Sequence, residues 1–189
     1  MQIGREIPNV ILNTRVSDDS VEGPNPFRWA DVETADLFKG KRVVIFGLPG
    51  AFTPTCSSQQ LPGFEANYEA YEQLGVSDVY CVSVNDAFVM YQWGRAQGLR
   101  NVKLLPDGNG DFTRRIGMLI DKRHLGFGQR SWRYAAVIDD GIIAAWFEEP
   151  GINDAGTDSD PYEQSTPENI LGWLQAHPAA HSAELLEFA

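Results

Sequence analysis

The stretch Val43-Val44-Ile45-Phe46-Gly47-Leu48-Pro49-Gly50-Ala51-Phe52-Thr53-Pro54-Thr55-Cys56 decides the fold. Its first six residues are apolar or glycine, rich in β-branched side chains, preceded by Lys41-Arg42 and stopped by Pro49-Gly50. That is the pattern of a strand buried on both faces, as in parallel sheets. Beyond the turn the period changes. Leu61, Phe64, Tyr68, Tyr71 and Leu74 recur three or four apart, which predicts a helix from Thr53 to Leu74 that Pro62 should kink or divide. Cys56 therefore falls within a turn of the point where a buried strand hands over to a helix.

Working outward, Asp78 to Val84 reads as a second strand, and Asn85-Asp86 as the cap of a helix through Phe88, Met90, Tyr91 and Trp93. Lys103-Leu104-Leu105 is a short strand, Pro106 to Gly110 a turn cluster, and a helix follows near Asp111 to Gly117. Trp132 to Ile138 and Ile142 to Glu148 flank Asp139-Asp140-Gly141, whose Asp-Gly suits a type I′ turn between antiparallel strands. Residues 149–164 are an acidic loop, and Ser165-Thr166-Pro167-Glu168 opens a last helix that packs Ile170, Leu171 and Leu174. The tail from Pro178 is expected to fray. Parallel strands with crossover helices, then a hairpin, then a terminal helix give an α/β thioredoxin-like fold, a mixed central sheet flanked by helices, and not a doubly wound dinucleotide fold. The first clear strand is not followed by Gly-x-Gly-x-x-Gly. At 189 residues the chain suits one domain, 1–189.

Composition narrows the function. The formal net charge of −11 repels phosphate backbones and anionic lipids, which argues against nucleic acid as a partner. No apolar run approaches the roughly 20 residues that span a bilayer, and the N-terminus lacks the pattern of a secretory signal. A cytoplasmic protein is expected. Cys56 and Cys81 are too few for a disulfide framework, and their spacing is neither Cys-x-x-Cys nor a zinc pattern. They are core filler or chemistry. A helix N-terminus, especially with a guanidinium beside it, favours thiolate over thiol, and the thiolate is the nucleophile. From position alone, a free Cys56 buried as a small hydrophobe remains open.

Pro49, three residues, Thr53, two residues, Cys56 resembles the active-site segment of peroxiredoxins. Flanking stretches are similar as well: Leu61-Pro62-Gly63-Phe64, Ser83 to Val89, Trp93-Gly94-Arg95-Ala96 and Arg130 to Ala135. The resemblance, to the peroxiredoxin-5 subfamily, runs from about Ile3 to Leu174. It implies a peroxidase acting on hydrogen peroxide and alkyl hydroperoxides. In that reading Cys56 attacks the peroxide, the Thr53 hydroxyl contacts it, Pro49 shapes and shields the loop, and Arg133 holds thiolate and peroxide. Arg130 is a candidate helper. By residue type alone, an Arg in so acidic a chain pairs with carboxylates.

Subfamily members with an intramolecular disulfide carry a second reactive Cys late in the chain, and residues 148–167 have none. Cys81, mid-strand in an apolar run, reads as a buried core thiol. A one-cysteine cycle is therefore expected, with no bound cofactor and an external thiol as reductant: glutathione with glutaredoxin, or thioredoxin. The nearest resemblance is to the peroxiredoxin part of fusions with glutaredoxin, so a glutaredoxin is expected to act in trans. Gln60 departs from the His of many relatives, which bears on reductant docking. The resemblance also implies a homodimer paired through loops near the site, with Phe52, Phe88 and Trp93 as candidates for its apolar centre.

Two other functions compete. A thiol transferase would want Cys-x-x-Cys, which is absent. A redox sensor or relay passing oxidation from Cys56 to a partner uses the same thiol chemistry. The remaining features read as structural. His177 and His181 stand at helical metal spacing but are interrupted by Pro178, and no third ligand is near in sequence, so surface histidines are expected there and at His124. Asp107 to Asp111 lacks the twelfth-position Glu of a calcium loop and reads as a turn. Glu148 and Glu149 read as solvated edge residues.

Overall fold

The computed structural model describes residues 2–24 and 26–179. The expectation for the tail after Pro178 and that for His181 lie, from residue 180 on, outside the described residues. The chain opens with an antiparallel hairpin, β1 (Ile11–Ser17) and β2 (Phe27–Glu33), then a short helix α1 (Thr34–Phe38). Next comes the strand of the deciding stretch, β3 (Arg42–Gly47), buried from Val43 onward. A single π-helical turn (Cys56–Gln60) runs into α2 (Leu61–Ala66) and α3 (Tyr68–Gln73). Then follow β4 (Asp78–Ser83), α4 (Ala87–Gln97), β5 (Lys103–Pro106) and α5 (Asp111–Arg115). A small antiparallel pair, β6 (Leu119–Asp121) and β7 (Gln129–Ser131), precedes β8 (Tyr134–Asp139), β9 (Ile142–Glu148) and α6 (Pro167–Ala176).

The central sheet has the order β5-β4-β3-β8-β9. β3 pairs parallel with β4, which pairs parallel with β5, while β8 is antiparallel to both β3 and β9. This is the mixed thioredoxin-like sheet, with an apolar cluster on each face. One gathers Phe46, Phe64, Tyr71, Trp93, Ile170 and Leu174 from the sheet, α2, α3, α4 and α6. The other gathers Val43, Ile45, Tyr80, Phe112 and Trp132, with Phe38 of α1. Phe46 and Phe64 stack at 3.9 Å between centroids, which clamps the helix after Cys56 to the strand before it. Gly47 is required at the end of β3, because a Cβ there would lie 2.2 Å from the Tyr134 ring. The β8–β9 turn has Asp140 at φ 46° and Gly141 at φ 79°, the two positive values of a type I′ turn. Among the described residues no helix is long and apolar enough to cross a membrane.

Three expectations need correction. The helix over 53–74 divides at Asn67 (φ −95°, ψ 3°) and not at Pro62, which sits in the first turn of α2. Pro62 has no N–H to give Ser58, and the chain adapts by widening the turn ahead of it, Leu61 N–H donating to Cys56 O. Trp132 and Arg133 precede β8 instead of belonging to it. Glu149 is not a solvated edge residue. It is 1% exposed, and its carboxylate accepts from the backbone N–H groups of Glu163, Gln164 and Ser165 and from the Ser165 hydroxyl.

Candidate active site

The end of β3 delivers Leu48, Pro49 and Gly50, all buried, to a tight loop. Asn85, just past β4, holds that loop: its side-chain oxygen accepts from Ala51 N–H at 3.0 Å and from the Ser83 hydroxyl at 2.7 Å. Phe52 turns the chain through φ 63° and is 57% exposed. The Thr53 hydroxyl donates to Gly50 O at 2.8 Å, leaving its lone pairs to accept. Ser57 N–H donates to Thr53 O at 3.0 Å, and Cys56 enters the π turn as a residue 1% exposed, packed among apolar side chains. Pro49 and Thr53 border a cleft of about 480 Å³, with Pro54, Leu125, Phe127 and Asp160 also on its walls.

Arg133 comes from the far side of the fold and is itself 1% exposed. Trp132, beside it in sequence, is anchored by its indole N–H donating to Glu149 O at 2.8 Å. Arg133 Nη1 donates to Cys56 Sγ at 3.5 Å and to Gln60 Oε1 at 2.6 Å. Its Nε donates to Pro161 O at 3.1 Å, its Nη2 reaches Asp160 Oδ1 at 2.5 Å, and its guanidinium lies 5.5 Å from the centre of the Tyr162 ring. Burial works against the Arg133 charge; the Cys56 sulfur and the Asp160 carboxylate outweigh it and hold the guanidinium above its ordinary value. A cation so fixed stabilises a neighbouring thiolate and any oxygen on which negative charge develops.

Of the residues predicted from sequence, Pro49 and Thr53 thus line the cleft, Cys56 and Arg133 are bonded to each other, and Asp160, on the cleft wall, joins the two sets through its bond to Arg133. Arg130 stands further back, its Nη1 donating to Val84 O at 3.1 Å and its Nε to Phe127 O at 3.0 Å. Gln60 is fully buried and bonded to Arg133, so it supports the guanidinium and is no docking surface. Cys81 lies at the centre of β4, 0% exposed, paired with Phe46 on one side and Leu104 on the other. Burial first, and Cys56 second, push its thiol well up. Trp93 is buried too, its indole donating to Ser57 Oγ at 3.0 Å; it fills the core and is no surface aromatic. Sequence reading missed Asn85 as a loop holder, and it missed Asp160 and Tyr162. Nothing in their spacing marks them, because they lie in a loop without periodicity.

The other candidates stay structural. Asp107 is a buried capping carboxylate that accepts from the N–H groups of Phe112 and Thr113, and burial raises its carboxyl. His177 stacks on Trp173 at the end of α6. Among the described residues no three His, Cys, Asp or Glu side chains cluster to hold a metal.

The Redoxin family model matches residues 28–164, a span that contains both Cys56 and Arg133. A peroxiredoxin of Rhizobium etli is 57% identical over 93% of this chain and 98% of its own. The crystal structure of the Plasmodium falciparum antioxidant protein, described as a 1-Cys peroxiredoxin, superposes with TM-score 0.84 at 31% identity, covering 92% of this chain and 99% of that one. The reduced Prx3 of Vibrio vulnificus, solved in complex with H2O2, gives TM-score 0.78 at 35% identity over 94% and 98%. With a redoxin match over most of the chain and relatives of this identity and coverage, the chain belongs to the redoxin family, as a peroxiredoxin.

Proposed function

We propose that this peroxidase reduces hydrogen peroxide and alkyl hydroperoxides through Cys56, and that an external thiol completes the cycle. The observation that carries the reading is the buried Arg133 guanidinium at 3.5 Å from Cys56 Sγ, joined through Asp160 to the cleft that Pro49 and Thr53 line. The Cys56 thiolate attacks one peroxide oxygen. An S–O bond forms, the O–O bond breaks, the attacked oxygen keeps its hydrogen in the sulfenic acid, and the electron pair leaves on the second oxygen as alkoxide or hydroxide, which takes a proton from water. Arg133 stabilises that developing charge, the Thr53 oxygen accepts a hydrogen bond from the peroxide O–H, and Pro49, with no N–H, closes the loop over the sulfenic acid. The complex of Vibrio vulnificus Prx3 with H2O2 supports the substrate class.

Turnover then needs a second thiol. Cys81 sits inside the sheet with its thiol pushed up by burial, which supports a one-cysteine cycle, as does likeness to a structure described as a 1-Cys peroxiredoxin. Glutathione attacks the sulfenic sulfur, water leaves, and a glutaredoxin thiolate releases the mixed disulfide; thioredoxin is the alternative reductant. Two free thiols accord with a reducing compartment, the cytoplasm. The protein pairs as a homodimer through the surface that carries Phe52 and Phe88, 57% and 47% exposed. A steady-state peroxidase assay comparing glutathione, glutathione with glutaredoxin, and thioredoxin tests this directly. Turnover is expected with glutathione and glutaredoxin; turnover with none of the three would overturn the reductant assignment.

A further inference from the structure

In the loop between β9 and α6, the segment 158–165 is pinned at both ends by buried charges. At one end the Lys122 ammonium meets the Asp158 carboxylate at 2.6 Å, both side chains almost wholly buried. At the other the Glu149 carboxylate gathers the N–H groups of residues 163–165. Between the pins, Asp160 adopts φ 50°, a region that costs an L-residue about 1–2 kcal/mol and that Asp tolerates better than most. The Asp158 carboxylate accepts from the Asp160 backbone N–H at 3.1 Å, which fixes this turn. The strained turn aims the Asp160 carboxylate at two walls of the active site at once. One oxygen takes Arg133 Nη2, and the other accepts from the hydroxyl of Thr55, the residue immediately before Cys56, at 3.0 Å.

Four Arg133 hydrogen bonds have partners in this arrangement: Pro161 O, Gln60, Cys56 and Asp160. Gln60 and Cys56 both take Nη1, and Pro161 O takes Nε, so the Nη2 end is fixed by Asp160 alone among the described residues. A guanidinium is planar, so anchoring Nη2 together with Nε and Nη1 holds the plane in which Nη1 meets the sulfur. We propose that Asp160 is a positioning residue for peroxide reduction, holding Arg133 in register with Cys56 and tying both to the loop. The proposal rests on the reading that Cys56 attacks peroxide; if that reading fails, the unaltered protein consumes no peroxide and there is no rate against which to compare a variant.

The test uses two substitutions that suit a positive φ. Asp160→Gly removes the carboxylate and relaxes the backbone, so folding is preserved, while Asp160→Asn keeps an acceptor in place. Two rates are measured on the reduced protein: oxidation by hydrogen peroxide, followed by tryptophan fluorescence in stopped flow, and alkylation of Cys56 by iodoacetamide. Alkylation needs the thiolate but no aligned guanidinium. The ratio of peroxide rate to alkylation rate should fall about tenfold in Asp160→Gly and return to within about threefold of the unaltered ratio in Asp160→Asn. A carboxylate that merely braces the loop would change both rates alike. An unchanged ratio in Asp160→Gly, or an Asp160→Asn as impaired as the Gly variant, overturns the proposal.

Discussion

Replacing Arg133 by Lys keeps the charge and removes the fork, which separates the two things the guanidinium supplies. In the structure one planar group serves Cys56 Sγ, Gln60 Oε1, Asp160 and Pro161 O together. A single ammonium on a shorter reach cannot meet all four. Two costs follow. Gln60 Oε1, fully buried, loses its donor, which takes about 1–3 kcal/mol from stability. The donor aimed at the reacting atoms is also displaced, and losing one such donor raises a barrier by about 2.7–4 kcal/mol, or roughly 10²- to 10³-fold in rate. The assay is the second-order rate of reduced protein with hydrogen peroxide at neutral pH, with Arg133→Met as the uncharged comparison. The Lys variant should be at least about a hundredfold slow and close to Met. A Lys variant within about threefold of the unaltered protein would mean that charge alone suffices and would refute the argument from the fork.

Other expectations follow from the same geometry. Cys56→Ser should abolish peroxide consumption while Cys81→Ser keeps most of it; equal losses in two folded variants would contradict the assignment of the nucleophile. Glu149→Ala leaves three backbone N–H groups of the 163–165 segment without their acceptor, so urea unfolding should show a loss of about 3 kcal/mol or more, and a loss below about 1 kcal/mol would mean that water replaces the carboxylate. Burial raises the Asp158 carboxyl, but the Lys122 ammonium and the Asp160 N–H outweigh it and hold it below its ordinary 3.8. A depressed carboxyl stabilises the fold above its unfolded value and loses that contribution as pH falls through the folded one. The stability advantage over Asp158→Asn should therefore be full at neutral pH and shrink below about pH 4; an advantage that persists unchanged into strong acid would contradict the pairing. Sedimentation at micromolar concentration should give a species near twice the 21.0 kDa chain mass, and monomer alone would remove the homodimer.

What was legible in the sequence follows the range of the interactions. β3, β4 and the β8–β9 hairpin could be read because buried strands leave continuous apolar runs and the Asp140-Gly141 turn announces itself locally. The β1–β2 hairpin could not: only Leu12 among its residues is fully buried, so its strands lack an apolar face and alternate no signal. Pro49, Thr53 and Cys56 are close in sequence, where the strand hands over to the π turn, and their spacing carried the family resemblance from which their roles were expected. Arg133 meets Cys56 across 77 positions and was legible only through the family pattern. Gln60 reaches Arg133 across 73 positions and Asp160 reaches it across 27, with no periodicity to join them, and Glu149 looked like a surface acid because its four donors lie in an irregular loop.

The chemistry turns most directly on which sulfur reacts with peroxide and what becomes of it. Reduced protein treated with one equivalent of hydrogen peroxide in the presence of glutathione, then digested and mapped by mass spectrometry, should carry one glutathione on Cys56 and an unmodified Cys81. Without any thiol, oxidation should stop after one turnover and excess peroxide should carry Cys56 to sulfinic acid. An intramolecular disulfide between Cys56 and Cys81 as the main product would contradict the one-cysteine cycle, and would mean that β4 opens to release a thiol that the structure buries completely.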